Sequence, residues 1–251
     1  MNILYPDLKA KTILITGGLG FLASQFIKAL EHNFCKVIIL DKKKSNKKNF
    51  FYCDITKESD LKLVYQRIKK KYKSIDVLIN NAANNYGAGS KLTEVRLENF
   101  SDKIWDDDLK VGLKGAMLCT KIFGSEMSKQ KLGGNIINIS SDLGIISPDN
   151  RIYKKNFVKP VTYSVIKHGI IGLTKYTATY WPKKVRCNAI AFGGMENNQD
   201  KNFIKKIKKL IPMGRMGKKN EYNNVLLFLS SNASSYINGT TIIVDGGRTI
   251  L

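Results

Sequence analysis

A tyrosine and a lysine one helical turn apart form the pair of residues in this sequence with the clearest chemical potential. Tyr163 and Lys167 stand four positions apart, so a helix places the phenol and the amine on one face. An ammonium close to a phenol stabilises the phenolate and lowers the tyrosine pKa from about 10 toward neutral pH. The spacing therefore predicts that Tyr163 is a general acid or base for a hydroxyl or carbonyl group.

A serine at the end of an apolar run is the second candidate for chemistry. The run Asn-Ile-Ile-Asn-Ile-Ser-Ser ends at Ser141 and has the composition of a buried strand. In a parallel sheet, the carboxyl ends of the strands face the ligand crevice. We therefore expect Ser141 to lie in the same crevice as Tyr163.

A glycine-rich turn near the N-terminus predicts a site for a dinucleotide. In the segment Thr-Gly-Gly-Leu-Gly-Phe-Leu-Ala, Gly17 and Gly20 remove side chains where the backbone must approach a pyrophosphate. The helix that follows offers its first N–H groups to the same phosphates. Asp41 closes the next strand, where a carboxylate accepts hydrogen bonds from ribose hydroxyls and repels a 2′-phosphate. The sequence thus favours NAD over NADP, although the lysines that follow Asp41 weaken this preference.

Strand and helix patterns alternate along the whole chain. The predicted strands are Thr12–Thr16, Val37–Asp41, Phe50–Cys53, Val77–Asn80, Ile136–Ser140, Val185–Ala191 and Thr241–Val244. The predicted helices are Phe21–Glu31, Glu58–Tyr72, Asp102–Ser128, Val161–Trp181, Phe203–Leu210 and Glu221–Ser230. Repeated strand–helix–strand units predict an α/β fold with a doubly wound parallel sheet in three α/β/α layers. No Pro/Gly/Ser linker divides the chain, so residues 1–251 are expected to form a single domain.

The net charge of +22 is the unusual value in the composition, with 42 Lys and Arg against 20 Asp and Glu. Only six of these cations are arginines, whereas proteins that bind nucleic acids tend to use arginine forks. The lysines are dispersed in short groups between apolar positions, which is typical of solvated helix faces. We therefore expect a small-molecule substrate, with an anionic one as a candidate, and no nucleic-acid partner.

Features of cellular location are also readable in the sequence. No apolar run approaches the about 18 residues that span a bilayer, and the N-terminus lacks the pattern of a secretion signal. The four cysteines are scattered, with no C-x-x-C pair and no histidine cluster, which predicts buried thiols rather than disulfides or a metal site. These features predict a cytoplasmic protein with no membrane partner and no metal.

Taken in order, the motifs of the chain resemble those of the short-chain dehydrogenase/reductase family, and the resemblance covers essentially the whole chain. It is carried by the glycine-rich turn, Cys53-Asp54-Ile55-Thr56, Asn80-Asn81-Ala82-Ala83, Ser141, Tyr163, Lys167, Arg186-Cys187-Asn188-Ala189 and Val244-Asp245-Gly246-Gly247. The resemblance implies a Rossmann fold and the NAD(P)-dependent interconversion of a secondary alcohol and a ketone. It also implies a homodimer or homotetramer assembled through the two longest predicted helices.

The resemblance assigns roles to individual residues. Ser141 would hold the substrate oxygen, Tyr163 would exchange its proton, and Lys167 would bind the nicotinamide ribose and tune the tyrosine. The residues expected to bind the cofactor are Gly17, Gly18, Gly20, Phe21, Leu22, Asp41, Asp54, Ile55, Asn81, Ala82, Ala83, Tyr163, Lys167 and Gly193. The residues expected to contact the substrate are Ser141, Arg151, Tyr153, Gly194 and Met195.

One departure from the family pattern falls on the proton relay. Gly112, in Val-Gly-Leu-Lys-Gly, stands where the family has a catalytic asparagine that helps to hold a water molecule. A glycine still offers its backbone carbonyl at that position. We therefore expect a weakened or rerouted relay, and the same departure motivates the alternative of a non-catalytic NAD-binding homologue.

A second departure concerns the substrate. The chain between Ser141 and Tyr163 is longer than is usual in the family, and the insertion, residues 143–160, is expected to overhang the mouth of the site. Arg151 in it is a candidate partner for a phosphate or carboxylate, with a neutral surface insertion as the alternative. Residues 195–214 are expected to form a substrate loop. The insertion and the segments 193–199 and 212–216 resemble the subgroup called flagellin modification protein A, whose members are associated with sugar precursors of surface glycans.

The leading hypothesis from the sequence is an oxidoreductase that acts on a sugar, a sugar phosphate or a nucleotide-linked sugar for surface-glycan synthesis. Reduction of a 3-oxoacyl thioester or of another carbonyl by the same chemistry is the first alternative.

Overall fold

Within residues 4–84, 95–154 and 157–251, which the computed structural model describes, seven parallel strands form one sheet. In chain order they are β1 (Thr12–Thr16), β2 (Lys36–Asp41), β3 (Phe50–Tyr52), β4 (Val77–Asn80), β5 (Gly134–Ser141), β6 (Val185–Phe192) and β7 (Thr241–Val244). Their order across the sheet is β3-β2-β1-β4-β5-β6-β7. The predicted doubly wound α/β fold is confirmed.

Six helices connect the strands in the described residues. They are α1 (Phe21–His32), α2 (Glu58–Lys71), α3 (residues 102–128), α4 (Val161–Tyr180), α5 (Lys201–Lys208) and α6 (Asn223–Ser230). Helix α3 is continuous but contains two π-helical turns, Lys110–Lys114 and Thr120–Gly124. π-Helical turns inside α-helices are frequent at functional sites, and the first of these turns contains Gly112.

The predicted elements are all present, and all of their ends agree with the structure within two residues. The largest differences, two residues each, are at the start of β5, at both ends of α5 and at the start of α6. At the two helices, the periodicity alone did not fix the first turn. Helix α5 begins earlier than predicted, at Lys201, because the carboxylate of Asp200 accepts hydrogen bonds from the backbone N–H groups of Asn202 and Phe203. This N-cap sets the start of the helix.

The sheet separates two hydrophobic cores. Side chains of β1 alternate between them, with Ile13 and Ile15 in the core beneath α1 and α6, and Leu14 in the core beneath α2 and α3. The largest fully buried side chains, Phe26 and Phe123, lie on opposite sides of the sheet. Both faces of the strands are therefore covered, which explains why the strand sequences are apolar without alternation.

The strand order reverses between β1 and β4, which pair directly although β2 and β3 lie between them in the chain. At such a switch point, loops leave the sheet in opposite directions and open a crevice at the carboxyl ends of the strands. Thr16, Asp41, Asn80 and Ser141 end their strands at this edge.

All four cysteines carry free thiols. Among the helices of the described residues, none combines the length and hydropathy that a transmembrane span requires. A cytoplasmic location stays a prediction.

Candidate active site

A cleft of about 880 Å³ opens at the carboxyl edge of the sheet and contains nearly all the residues predicted to bind cofactor or substrate. The predicted residues that line it are Gly17, Gly20, Phe21, Leu22, Asp41, Asp54, Ile55, Asn81, Ala82, Ala83, Ser141, Tyr153, Tyr163, Lys167, Gly193, Gly194 and Met195. We call the part around Gly17, Gly20 and Asp41 the phosphate end, and the part around Ser141, Tyr163 and Lys167 the chemical end.

The turn at the phosphate end requires glycine. Gly17 has a φ of +62°, and a Cβ atom at this position would lie 2.8 Å from the Cα atom of Ala82. Gly20 precedes the first turn of α1, where no side chain caps the helix. The first N–H groups of α1 thus remain available to a ligand at the edge of the cleft.

The carboxylate of Asp41 is fixed at the end of β2. It accepts hydrogen bonds from the backbone N–H of Leu19 and of Lys43, both at 3.0 Å. These bonds join the glycine-rich turn to the end of β2. A carboxylate has about four acceptor positions, so two remain for a ligand in the cleft.

Asn81 and Asp54 stabilise the loops at this end. The amide of Asn81 donates to the backbone carbonyls of Thr16 and Gly17 at 3.0 and 3.3 Å, which ties the end of β4 to the end of β1. Asp54 accepts from the N–H and the hydroxyl of Thr56 at 3.0 and 2.8 Å. Both residues also line the cleft.

The residues at the phosphate end fit a nicotinamide dinucleotide. A backbone cradle that a Cβ atom at Gly17 would obstruct, an uncapped helix start and a carboxylate at the end of the second strand are the three features that such a ligand requires. Gly17, Gly20 and the start of α1 would hold the pyrophosphate, and Asp41 would accept from a ribose hydroxyl.

Ser141 and Tyr163 meet at the chemical end, as predicted. The hydroxyl of Ser141 donates to the Oδ1 atom of Asp142 at 2.7 Å and accepts from the N–H of Leu143 at 3.2 Å. Burial raises the pKa of Tyr163 to about 12, a hydrogen bond with Ser141 lowers it, and the charge of Asp142 raises it. Burial therefore opposes the shift that the tyrosine–lysine spacing alone predicts.

Lys167 lies beneath the tyrosine ring on α4. Its ammonium is 5.6 Å from the ring centroid of Tyr163 and donates to the carbonyl of Ile139 at 2.8 Å. Burial lowers the pKa of Lys167 to about 8, and the charge of Lys159 lowers it as well. The sequence did not draw attention to Lys159, because this residue precedes the helix that carries Tyr163.

Lys159 is a second ammonium against Tyr163. Its Nζ atom lies 3.8 Å from the ring centroid of Tyr163, and its side chain lines the cleft. Burial lowers the pKa of Lys159 to about 8, while the charges of Asp142 and Asp108 raise it. Its position four residues before Tyr163 is the signal in the sequence that could have identified it.

A buried ion pair lies next to Ser141 at the chemical end. Arg248 donates to the Oδ2 atom of Asp142 at 2.6 Å, and both side chains are at most 6% exposed. Asp142 also accepts from Ser141 and from the N–H of Leu143. The pair joins the end of β5 to the C-terminal segment. Asp142, the next residue after Ser141, accepts from the Ser141 hydroxyl, and Arg248, 107 positions after Ser141, holds Asp142 in place.

Gly112, where the resemblance leads us to expect an asparagine, packs against Ile166 of α4. A Cβ atom at Gly112 would lie 2.8 Å from the Cγ2 atom of Ile166, which fills the space beside the helix. One turn earlier on α3, the buried Asp108 accepts from Thr162 at 2.6 Å and from Asn84 at 3.0 Å. A carboxylate of α3 thus accepts a hydrogen bond from the first turn of α4.

Two predicted residues lie outside the cleft lining. Gly18 donates its N–H to the carbonyl of Leu40 at 3.1 Å, and it packs against Ile39. The guanidinium of Arg151 makes two hydrogen bonds of 2.9 Å to Asp149, and its side chain is 89% exposed. The structure therefore does not bring Arg151 into the cleft, because Asp149 holds it at the surface.

The insertion packs on the substrate loop. Ile152 of the insertion and Ile207 of α5 share one apolar cluster, and the rings of Tyr153 and Phe203 stack with centroids 5.5 Å apart. Lys206 donates to the carbonyl of Arg151 at 3.0 Å. Tyr153 and Phe203 both line the cleft, so the two segments together form its outer wall.

Comparisons with known proteins agree with this geometry. The family model described as enoyl-(acyl carrier protein) reductase matches residues 32–249. The NAD-dependent glycerol dehydrogenase of Listeria innocua is 35% identical over 78% of this chain and 73% of its own length. The 3-oxoacyl-[acyl-carrier-protein] reductase of Thermotoga maritima is 33% identical over 80% and 76%. The 2-dehydro-3-deoxy-D-gluconate 5-dehydrogenase of Escherichia coli is 32% identical over 77% and 73%.

A solved structure extends the agreement to the whole fold. A short-chain dehydrogenase from Leptospira borgpetersenii with bound NAD+ superposes with a TM-score of 0.88 at 29% identity, covering 97% of this chain and 94% of the other. Sheet order, cleft and sequence similarity thus lead to the same result. The chain belongs to the short-chain dehydrogenase/reductase family of NAD(P)-dependent oxidoreductases.

Proposed function

We propose that this enzyme interconverts a secondary alcohol and a ketone on a sugar, a sugar phosphate or a nucleotide-linked sugar, with NAD as its cofactor. The observation that carries the proposal is the single cleft that joins Asp41 and the glycine-rich turn to Ser141 and Tyr163. Two of the relatives described above are named for a polyol and a sugar acid, which supports a polyhydroxylated substrate.

The hydrogen bonds at the chemical end suit a hydroxyl group. The hydroxyl of Ser141 donates to Asp142 and accepts from the N–H of Leu143, so its second acceptor position would serve a substrate hydroxyl. Tyr163 would remove or return the proton of the reacting oxygen, and Lys167 would hold the nicotinamide ribose. When bound, the dinucleotide supplies the hydride acceptor or donor.

The preference for NAD rests on Asp41. Its carboxylate is held at the end of β2 by two backbone hydrogen bonds and faces the cleft. A 2′-phosphate would meet this negative charge, whereas ribose hydroxyls would donate to it. Lys42 and Lys43 also line the cleft, so the preference is expected to be incomplete.

The outer wall supports a substrate-recognition role for the insertion, residues 143–160, and for the substrate loop, residues 195–214. Tyr153, Gly194 and Met195 line the cleft from these segments. We propose that they select the sugar within a single domain, as the resemblance to the flagellin modification subgroup implies. The biological product would then be a precursor of a surface glycan.

Assembly into a homodimer or homotetramer is part of the proposal. The two longest helices keep apolar side chains at their surfaces, with Met117 on α3 and Val165, Tyr176 and Tyr180 on α4 between 39% and 65% exposed. Faces of this kind are typical of subunit interfaces.

Reduction of a 3-oxoacyl thioester is the competing function. It is supported by the name of the Thermotoga maritima relative. The description of the matching family model also names an acyl-carrier-protein substrate, although for an enoyl rather than a 3-oxoacyl group. The chemistry at Ser141 and Tyr163 would be the same, so the substrate decides between the two.

The test is turnover with a defined panel of substrates. Absorbance at 340 nm would follow NAD+ reduction with polyols, sugars, sugar acids and sugar phosphates, and NADH oxidation with acetoacetyl thioesters. We expect carbohydrate turnover, and we expect Tyr163→Phe to lower it by about 10²–10⁴-fold while NAD+ binding is retained. Turnover of thioesters alone would favour the competing function, and full activity of Tyr163→Phe would contradict the mechanism.

A further inference from the structure

A groove of about 450 Å³ lies beside the cleft, at its outer wall. Tyr153, Asp200 and Phe203 line both the groove and the cleft, so the two cavities meet at these three side chains. The volume of the groove falls within the range of about 300–1,000 Å³ that small-molecule sites occupy. The groove is therefore large enough for more than a single phosphate group.

The polar face of α5 forms one side of this groove. Asn202, Lys205 and Lys206 of α5, and Lys209 directly after the helix, line the groove and are exposed. Their spacing of three and four residues places them in one stripe along the helix. Ile207, on the opposite face, is buried in the apolar cluster that joins α5 to the insertion. The polar face of an amphipathic helix usually borders open water, whereas this stripe forms the wall of a concave site.

Two charged side chains of the groove already have partners, and both contacts are compatible with a bound anion. Asp200 accepts from backbone N–H groups at the start of α5, and its Oδ2 atom lies 3.3 Å from the Nζ atom of Lys154. Lys206 donates to the carbonyl of Arg151 at 3.0 Å. An ammonium has three N–H donors, so Lys206 can keep this contact and also donate to a phosphate oxygen.

We propose that the groove binds the diphosphate of a nucleotide-linked sugar whose glycosyl group occupies the cleft. Lysine ammonium groups bind phosphate as point charges. A sugar or a sugar monophosphate would fit within the cleft, whereas a nucleotide-linked sugar is long enough to pass Tyr153 and Phe203 and to reach the lysine stripe. This inference rests on the proposed function and narrows its substrate class from three kinds of carbohydrate to one.

Nucleoside diphosphates without a sugar test the groove independently of turnover. The cofactor site is first saturated with NAD+, and UDP, GDP, CDP and dTDP are then titrated into the complex by calorimetry. We expect at least one of them to bind with a Kd below about 1 mM. Its binding is expected to weaken as salt is added, because salt screens the attraction between exposed charges.

Substitution of two lysines separates the groove from the overall charge of the protein. Lys205→Gln/Lys209→Gln removes two ammonium groups of the stripe and is expected to weaken binding of that diphosphate about tenfold, as two exposed charge pairs give. Lys205→Arg/Lys209→Arg keeps both charges and is expected to retain most of the affinity. Lys28→Gln/Lys70→Gln, at exposed positions on α1 and α2, removes the same charge elsewhere and should leave the Kd unchanged.

The same variants connect the groove to the reaction. For the free sugar that the enzyme oxidises, the form linked to the bound nucleoside diphosphate is expected to have the higher kcat/KM. Lys205→Gln/Lys209→Gln is expected to reduce this advantage about tenfold through KM, because the lysines contact the diphosphate and lie away from the reacting carbon.

The outcomes distinguish failure of the groove from failure of the proposed function. Binding of a nucleoside diphosphate that depends on Lys205 and Lys209 would support the groove even if no carbohydrate were oxidised. Turnover of carbohydrates without such binding would leave the proposed function standing and overturn the inference. Equal affinity of the wild type and Lys205→Gln/Lys209→Gln would overturn it as well, and so would lysine-dependent binding of an acyl carrier protein in place of every nucleoside diphosphate.

Discussion

The phosphate end of the cleft is built mainly from backbone groups, whereas the chemical end is built from buried charged side chains. Gly17, Gly20 and the start of α1 present N–H groups, and Asp41 is held by two N–H donors. At the chemical end, the Nζ atoms of Lys159 and Lys167 lie over the ring of Tyr163, and Arg248 pairs with the buried Asp142. The first arrangement depends on local conformation, and the second depends on segments that are distant in the sequence.

The two ends of the cleft differ in the amino-acid substitutions that they tolerate. A backbone site needs small residues at fixed places, so its requirements are visible as glycines in one short segment. A site of buried charges needs each charge to be balanced, and a partner such as Arg248 lies far along the chain from Asp142. Replacement of one member of such a pair leaves a buried charge without its partner.

The largest effect is expected when the buried ion pair at the chemical end loses one of its two charges. Arg248→Met leaves Asp142 buried, and we expect the free energy of unfolding to fall by about 3–5 kcal/mol. Chemical denaturation with urea measures this loss. The double variant Asp142→Asn/Arg248→Met is expected to recover part of the stability, because the uncompensated charge is gone.

The control for this prediction is an ion pair at the surface. Arg215 makes two hydrogen bonds of 2.7 Å to Glu221, with geometry as good as that of the buried pair. Arg215→Met is expected to have a much smaller effect, since water stabilises the remaining carboxylate. Equal losses in Arg248→Met and Arg215→Met would show that burial is not what makes the pair at the chemical end important.

An intermediate effect is expected at the phosphate end. Asp41→Asn removes the negative charge but keeps an acceptor oxygen for the N–H of Leu19 or Lys43. The ratio of kcat/KM for NADP to that for NAD is expected to rise about tenfold, which corresponds to about 1.4 kcal/mol of lost repulsion. Steady-state kinetics with both cofactors measures the ratio, with KM for the alcohol as the internal control. If the ratio of the two kcat/KM values were the same in Asp41→Asn and in the wild type, Asp41 would not be the residue that determines cofactor preference.

The smallest expected effect on the rate of catalysis concerns the contact between Gly112 and Ile166. Gly112→Asn restores the residue that the family has here, but its Cβ atom would meet Ile166 at 2.8 Å. We expect a loss of stability of about 1–3 kcal/mol from overpacking and no gain in rate. In Gly112→Asn/Ile166→Ala the asparagine has room, and the rate near neutral pH is expected to rise if the relay is weakened in the wild type.

A thermodynamic cycle over the two positions decides whether they are coupled. The cycle needs Ile166→Ala alone, which measures the cost of the cavity without the asparagine. Strictly additive losses of stability would show that Ile166 does not restrict position 112.

Much of the fold could be predicted because it follows from local patterns. Strands buried on both faces are apolar throughout, so β1 and β4 were predicted with the ends that the structure shows. The ends of α5 were predicted less closely, because a cap such as Asp200 acts through side-chain hydrogen bonds that periodicity does not reveal. The cleft residues at the phosphate end were predicted from one segment and the end of the next strand.

The sequence by itself determined the seven-stranded parallel sheet and predicted that the glycine-rich turn, Ser141, Tyr163 and Lys167 lie at the carboxyl edge of the sheet, because short motifs at fixed spacing specify these positions. Only the tertiary structure decided the electrostatics around the tyrosine. It brings Lys159 to the ring, pairs Asp142 with Arg248, and fills the space beside Gly112 with Ile166. Burial and through-space contacts set pKa values and packing, and neither depends on separation along the chain.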